Sequence, residues 1–113
     1  MRLSSTDAPV RGRQSFGSLT LDYDRRRVER GTQRIRLTPK EFELLSLLAQ
    51  HADRVLTHRT ILKAIWGANA VDQPERLWVL VAQLRKKIEA DNSNPKYLVS
   101  EPWVGYRLVS GSP

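Results

Sequence analysis

The chain has 113 residues, 40% hydrophobic and 27% charged, with 19 Lys and Arg against 12 Asp and Glu for a net charge of +7. That length suits one domain with a modest core, and that charge selects polyanions as partners, nucleic acid before anionic membrane. The absence of cysteine excludes disulfides, thiolate metal sites and Cys nucleophiles, and is compatible with a reducing cytosol.

Residues 1–15, "MRLSSTDAPVRGRQS", lack apolar periodicity and read as a flexible arm or the end of a linker. The opening has no apolar core of a signal peptide, and no apolar run approaches the roughly 18 residues of a membrane span. The expectation is therefore a cytoplasmic domain without membrane contact. Arg2, Arg11 and Arg13 could touch phosphates, but a solvated tether is the simpler reading.

In "FGSLTLDYDRRRVERGTQRIRL", Leu19, Leu21 and Tyr23 alternate with polar residues, as do Ile35 and Leu37. That is the period of half-buried strands. Gly31-Thr32 reads as a hairpin turn, so a small antiparallel sheet is expected over residues 16–37. Its outer face is expected to carry Arg25, Arg26, Arg27, Arg30, Arg34 and Arg36, which solubilise it and protect its edges.

"LTPKEFELLSLLAQHADR" predicts a helix. Thr38 suits the N-cap, Pro39 the first helical position, and Glu41 completes a capping box. Phe42, Leu45, Leu48 and Ala49 form one apolar face, widened by Leu44 and Leu47. "RVL" then reads as a short extended piece. Thr57 is placed to cap a helix over His58–Trp66, with Ile61, Leu62 and Ile65 inward and Gly67 ending it. His51 and His58 are not spaced as metal ligands on one helix; a structural or phosphate-facing role suits His58.

At about 100° per residue, "PERLWVLVAQLRKKIEA" gathers Leu77, Val81, Leu84 and Ile88 into one stripe bordered by Leu80. The opposite side carries Glu75, Arg76, Val79, Ala82, Gln83, Lys86 and Lys87. Val79 and Ala82 permit close approach and can meet a thymine methyl, Gln83 can pair with a base edge, and the cations can meet phosphates. "KYLVSEPWVGYRLV" reads as two strands, Tyr97–Ser100 and Gly105–Val109, joined by a short turn. A helix pair, a longer amphipathic helix and a C-terminal hairpin make an α+β winged helix-turn-helix, whose third helix enters the major groove while the hairpin flanks it. Trp103, Tyr106 and Arg107 lie in or beside that hairpin. Tyr106 suits core packing and a phosphate contact equally.

From Phe16 to Val109 the chain resembles the effector domain of OmpR/PhoB-type response regulators. The resemblance rests on "LTPKEFELLSLL", "RVLTHRTILKAIWG", "LRKKIEAD" and "YLVSEPWVGYRLV", in that order and spacing. "IWGANAV" followed by the long helix is similar to the members that regulate potassium-transport operons. The resemblance implies a four-stranded N-terminal sheet, three helices and a hairpin wing over residues 16–110, with 111–113 as a tail. It implies double-stranded DNA as partner, bound at tandem direct-repeat half-sites by head-to-tail dimers of a chain that is monomeric alone. It also implies a preceding receiver domain, absent from this chain, and contact of RNA polymerase with the loop 67–74.

Carried over by position, base-reading contacts fall on Glu75, Trp78, Val79, Ala82, Gln83 and Arg85. Phosphate contacts fall on Arg59 and Trp66 and on wing positions near Ser100 and Tyr106; Thr57 and His58 beside Arg59, and Trp103 and Arg107 in the wing, are further candidates from this sequence itself. Arg85 lies at the edge of the core stripe, from where a long side chain can reach a phosphate. The family's wing carries a Thr, two residues, then Gly-x-Gly-Tyr; here Ser100 and Trp103 replace the Thr and the first Gly. Base preference therefore does not transfer.

Other readings fit less well. An RNA-binding or ribosome-associated domain shares the charge, but single-strand readers expose aromatic platforms on a sheet, and this sheet shows mainly Arg. A winged helix that binds protein would not account for Lys86 and Lys87 facing outward. No nucleophile–base pair, metal cluster or glycine-rich phosphate loop suggests an enzyme, so no catalytic residue, metal or cofactor is expected.

Overall fold

The computed structural model describes residues 11–110. The expected arm up to residue 10 and the tail 111–113 lie outside the described residues. Four short strands come first: β1 (Arg13–Phe16), β2 (Leu19–Asp22), β3 (Arg27–Arg30) and β4 (Gln33–Ile35). They form an antiparallel sheet in chain order. The domain edge expected at residue 16 is thus corrected: Arg13, Gln14 and Ser15 pair with Asp22, Leu21 and Thr20. Their polar sequence hid the strand. Gln14 earns its place by other bonds, donating to the Ala49 carbonyl at 3.0 Å and accepting from the Tyr23 hydroxyl at 2.6 Å. Burial pushes that phenol up to about 12.

Phe16, Leu19, Leu21 and Val28 bury the inner face of this sheet. Gly31 takes φ +61° at the tight turn where Arg30 pairs with Gln33, as the sequence requires. The arginine-rich outer face needs two corrections. Arg30 is half-buried, and its Nη1 donates to the Ile88 carbonyl at 2.8 Å. Arg26 lays its guanidinium 4.7 Å from the centre of the Phe42 ring.

Helix α1 (Pro39–Gln50) begins with both arms of the capping box in place. Glu41 Nα–H donates to Thr38 Oγ1 at 3.2 Å, and Thr38 Nα–H donates to Glu41 Oε1 at 2.9 Å. Strand β5 (Leu56–Thr57) leads into α2 (His58–Trp66), which Thr57 caps and Gly67 ends at φ +97°. A 3-10 turn, Ala68–Ala70, leads to α3 (Pro74–Ile88). The wing consists of β6 (Leu98–Glu101) and β7 (Gly105–Leu108). "RVL" proves to be more than an extended piece, because β5 pairs with β7 and makes the wing a three-stranded sheet in the order β5-β7-β6.

Leu44, Leu45, Leu48, Ile61, Leu77, Leu84, Ile88, Leu98 and Leu108 lock the three helices and the wing around one core. Each full burial of a Leu or Ile contributes roughly 1.5–3 kcal/mol before entropy is counted. This core fixes which face of α3 is left outside.

Candidate nucleic-acid interface

Along α3, Leu77, Leu80, Val81, Leu84 and Ile88 are buried, as the period of the sequence demands. Glu75, Arg76, Trp78, Val79, Ala82, Gln83 and Lys86 are exposed. Trp78 and Val79 each leave 56% of their surface free, an apolar exposure that a solvated helix does not need. Glu75 stands in the first turn, where a carboxylate suits the positive end of the helix dipole, and Arg85, Lys86 and Lys87 occupy the last.

Lys87, expected on the outer face, and Arg85, expected at the edge of the core stripe, both bond within the protein. Lys87 donates through Nζ to Glu41 Oε1 at 2.6 Å, and so neutralises a carboxylate that is only 2% exposed. Arg85 bridges α3 to the wing. Its Nε donates to the Leu98 carbonyl at 3.0 Å, its Nη2 donates to Ser100 Oγ at 2.9 Å, and its guanidinium lies 5.7 Å from the Tyr106 ring centre. Among the described residues, Arg59 and Lys63 on α2 and Arg76 and Lys86 on α3 are exposed and join none of the ion pairs.

The wing is a braced structure. Tyr106 is buried, packs edge-on against His58 at 5.5 Å between ring centres, and has its hydroxyl pKa raised by burial, opposed by Arg85. Of the two expected roles, its burial supports core packing. Arg107 Nε donates to Glu101 Oε2 at 2.9 Å. Gly105 sits where β5 crosses: a Cβ there would come within 1.8 Å of the Leu56 carbonyl oxygen. At the tip, Trp103 is 98% exposed at φ +69°.

Below the first turns of α3 lies an open apolar groove lined by Thr38, Lys40, Trp66, Val79, Leu80 and Gln83. Lys40 was missed in the sequence. Its Nζ donates to the Ile65 carbonyl at 2.8 Å and sits 6.0 Å from the Trp66 ring centre, which adds a cation beside Trp66. The signal for it was present only as a Lys in the first turn of α1, and nothing local links that position to α2. Thr57 spends its hydroxyl locally, accepting from the Thr60 amide at 3.1 Å as the α2 cap. The residues expected to act together thus divide into an exposed face on α3, a braced wing and a cationic flank at Arg59.

Residues 31–108 match the family described as "Transcriptional regulatory protein, C terminal". The chain is 38% identical over 108 residues to the KDP operon transcriptional regulatory protein KdpE of Escherichia coli, covering 96% of this chain and 48% of that protein. The chain thus spans about half the length of that relative. Among solved structures, the response regulator DrrB, a Thermotoga maritima OmpR/PhoB homolog, superposes with a TM-score of 0.81 at 33% identity, over 87% of this chain and 44% of that one. The Klebsiella pneumoniae RstA DNA-binding domain, solved in complex with the RstA box, gives 0.80 at 28% identity over 87% and 97%.

Proposed function

This chain belongs to the transcriptional regulatory protein C-terminal family, of OmpR/PhoB type, and we propose that it binds double-stranded DNA in a sequence-specific manner as the effector domain of a two-component response regulator. The observation that carries the reading is the exposed face of α3: Val79, Ala82 and Gln83 between Arg76 and Lys86, with the wing fastened beside it by Arg85. A helix of this kind fits the major groove, and short apolar groups with an amide suit base edges there. RstA, solved on its box, supplies the analogy.

In this reading α3 presents Glu75, Trp78, Val79, Ala82 and Gln83 to base edges. Arg59, Arg76 and Lys86 meet phosphates, together with Trp66 and the neighbouring Lys40. Arg85 positions the wing. The parent protein carries a receiver domain, works in the cytoplasm, and controls a potassium-transport operon, as the likeness to KdpE suggests. Two copies bind head to tail on tandem half-sites, and the loop 67–74 meets RNA polymerase. No helix among the described residues is long and apolar enough to cross a membrane.

Fluorescence anisotropy of labelled duplex DNA and of structured RNA, each titrated with salt, tests the proposal. Tight binding to a subset of duplexes with a steep salt slope supports it. Equal or stronger binding to structured RNA overturns it in favour of an RNA-binding domain.

A further inference from the structure

The tip of the wing is built on a residue that its backbone disfavours. Glu101, Pro102, Trp103 and Val104 make a four-residue turn in which Val104 Nα–H donates to the Glu101 carbonyl at 3.0 Å. Proline at the second position and positive φ at the third are the attributes of a type II turn, whose third residue is ordinarily glycine. Trp103 occupies that place at φ +69°. A bulky side chain there is strained, and its own packing does not offset the strain, because the indole is 98% exposed.

The surroundings keep the turn from relaxing. His58 Nα–H donates to the Val104 carbonyl at 3.3 Å, which ties the turn to the first residue of α2. Gly105 pairs with Thr57 so closely that a Cβ on it would meet the Leu56 carbonyl. Arg85 holds β6 to α3 through Leu98 and Ser100. These bonds fasten the tip to α2 and β6 to α3. Val104, itself 48% exposed, extends the apolar tip. A fully exposed indole at the tip of a wing bonded to both α2 and α3, at a cost in backbone strain, is a group positioned for a partner.

We propose that Trp103 is an apolar wedge that enters the DNA minor groove next to the half-site and unstacks one flexible base step. The proposal rests on the duplex-binding reading above and adds to it a second determinant of sequence. Wedges of this type act at pyrimidine–purine steps, which open at least cost, so the selected site gains a preference at bases that α3 never touches. The contact is apolar and leaves the phosphate count unchanged.

Comparison of the wild-type chain with Trp103→Gly and Trp103→Phe tests this. Trp103→Gly relieves the turn, so its melting temperature rises, while its affinity for the selected duplex falls by about tenfold or more. Its salt slope stays that of the wild type, and the flanking pyrimidine–purine preference disappears from sites selected out of a random duplex pool. Trp103→Phe retains part of that preference. Unchanged affinity and unchanged flanks in Trp103→Gly overturn the wedge and leave duplex binding by α3 standing. A wild-type chain that selects no duplex overturns both. Binding to phosphatidylserine vesicles that is lost in Trp103→Gly, with DNA affinity unaltered, assigns the tip to a lipid surface and overturns the wedge.

Discussion

Lys86 and Lys87 are neighbours in sequence and should respond to the same substitution in opposite ways. Lys87 Nζ lies 2.6 Å from Glu41 Oε1, and the two side chains are 37% and 2% exposed. The same Glu41 oxygen accepts the Thr38 amide at 2.9 Å. Lys87→Ala leaves that carboxylate buried with the cap bond alone. Breaking a buried pair from one side costs about 3–5 kcal/mol, and the partial exposure of Lys87 brings this to about 1–3 kcal/mol through solvent screening. For a domain of this size the loss is roughly 5–20 °C in melting temperature. Adding Glu41→Gln removes the stranded charge and should recover much of the loss, a coupling that a double-mutant cycle reads directly. Lys86→Ala should leave the melting temperature within experimental scatter and flatten the salt dependence of duplex binding by about one phosphate. Thermal unfolding by circular dichroism and salt-titrated anisotropy measure the two effects. If Lys87→Ala keeps its melting temperature and loses salt slope as Lys86→Ala does, the ion pair does not hold Lys87 and the division of roles is wrong.

Two other perturbations follow from the braces of the wing. Gly105→Ala places a Cβ against the Leu56 carbonyl, so β5 and β7 must separate; a destabilisation of about 2 kcal/mol or more, seen in chemical unfolding, is expected together with weakened DNA binding. Asp53 accepts from the Ser110 hydroxyl and the Ser110 amide, which together hold its carboxyl below the usual carboxylate range. Its contribution is present above the unfolded-state carboxylate value and is lost as pH falls through the lower folded value, so Ser110→Ala should lower stability at neutral pH and flatten the acid limb of a stability–pH curve; an acid limb identical to the wild type would contradict this.

Local signals carried most of the helical architecture. The capping box at Thr38 and Glu41 and the α3 stripe are written within a few residues of each other, where the helical period is decisive, and both appear as read. What escaped the sequence is non-local. β1 has no apolar alternation because its pairing with β2 carries it, and the two-residue β5 is defined only by β7, about fifty residues later. Glu89 shows the same limit. It looks like a solvent residue after a basic run, yet it is buried and accepts the amides of Lys96 at 2.7 Å, Tyr97 at 3.0 Å and Leu98 at 2.8 Å. On α3, periodicity placed Val79, Ala82 and Gln83 outward, as they are, but could not place the ends of long side chains. A helical projection gives the direction of Cβ and not the reach of Lys87 toward Glu41 or of Arg85 toward Ser100. The strain at Trp103 became visible once its φ was known, although the replacement of a glycine in the wing pattern marked the position beforehand.

The central claim is that the exposed face of α3 reads base pairs, and site selection from a random duplex pool by the wild-type chain and by Gln83→Ala tests it most directly. Gln83 is exposed near the middle of that face, one turn after Val79. An amide paired with adenine N6 and N7 discriminates by roughly 1–3 kcal/mol, so the wild type should select a half-site with an A·T pair under the middle of the helix. Gln83→Ala should lose preference at that one position while keeping its fold and its salt slope. The same motif selected by both proteins would contradict base reading by Gln83 and move the specificity to the wing or to the shape of the duplex.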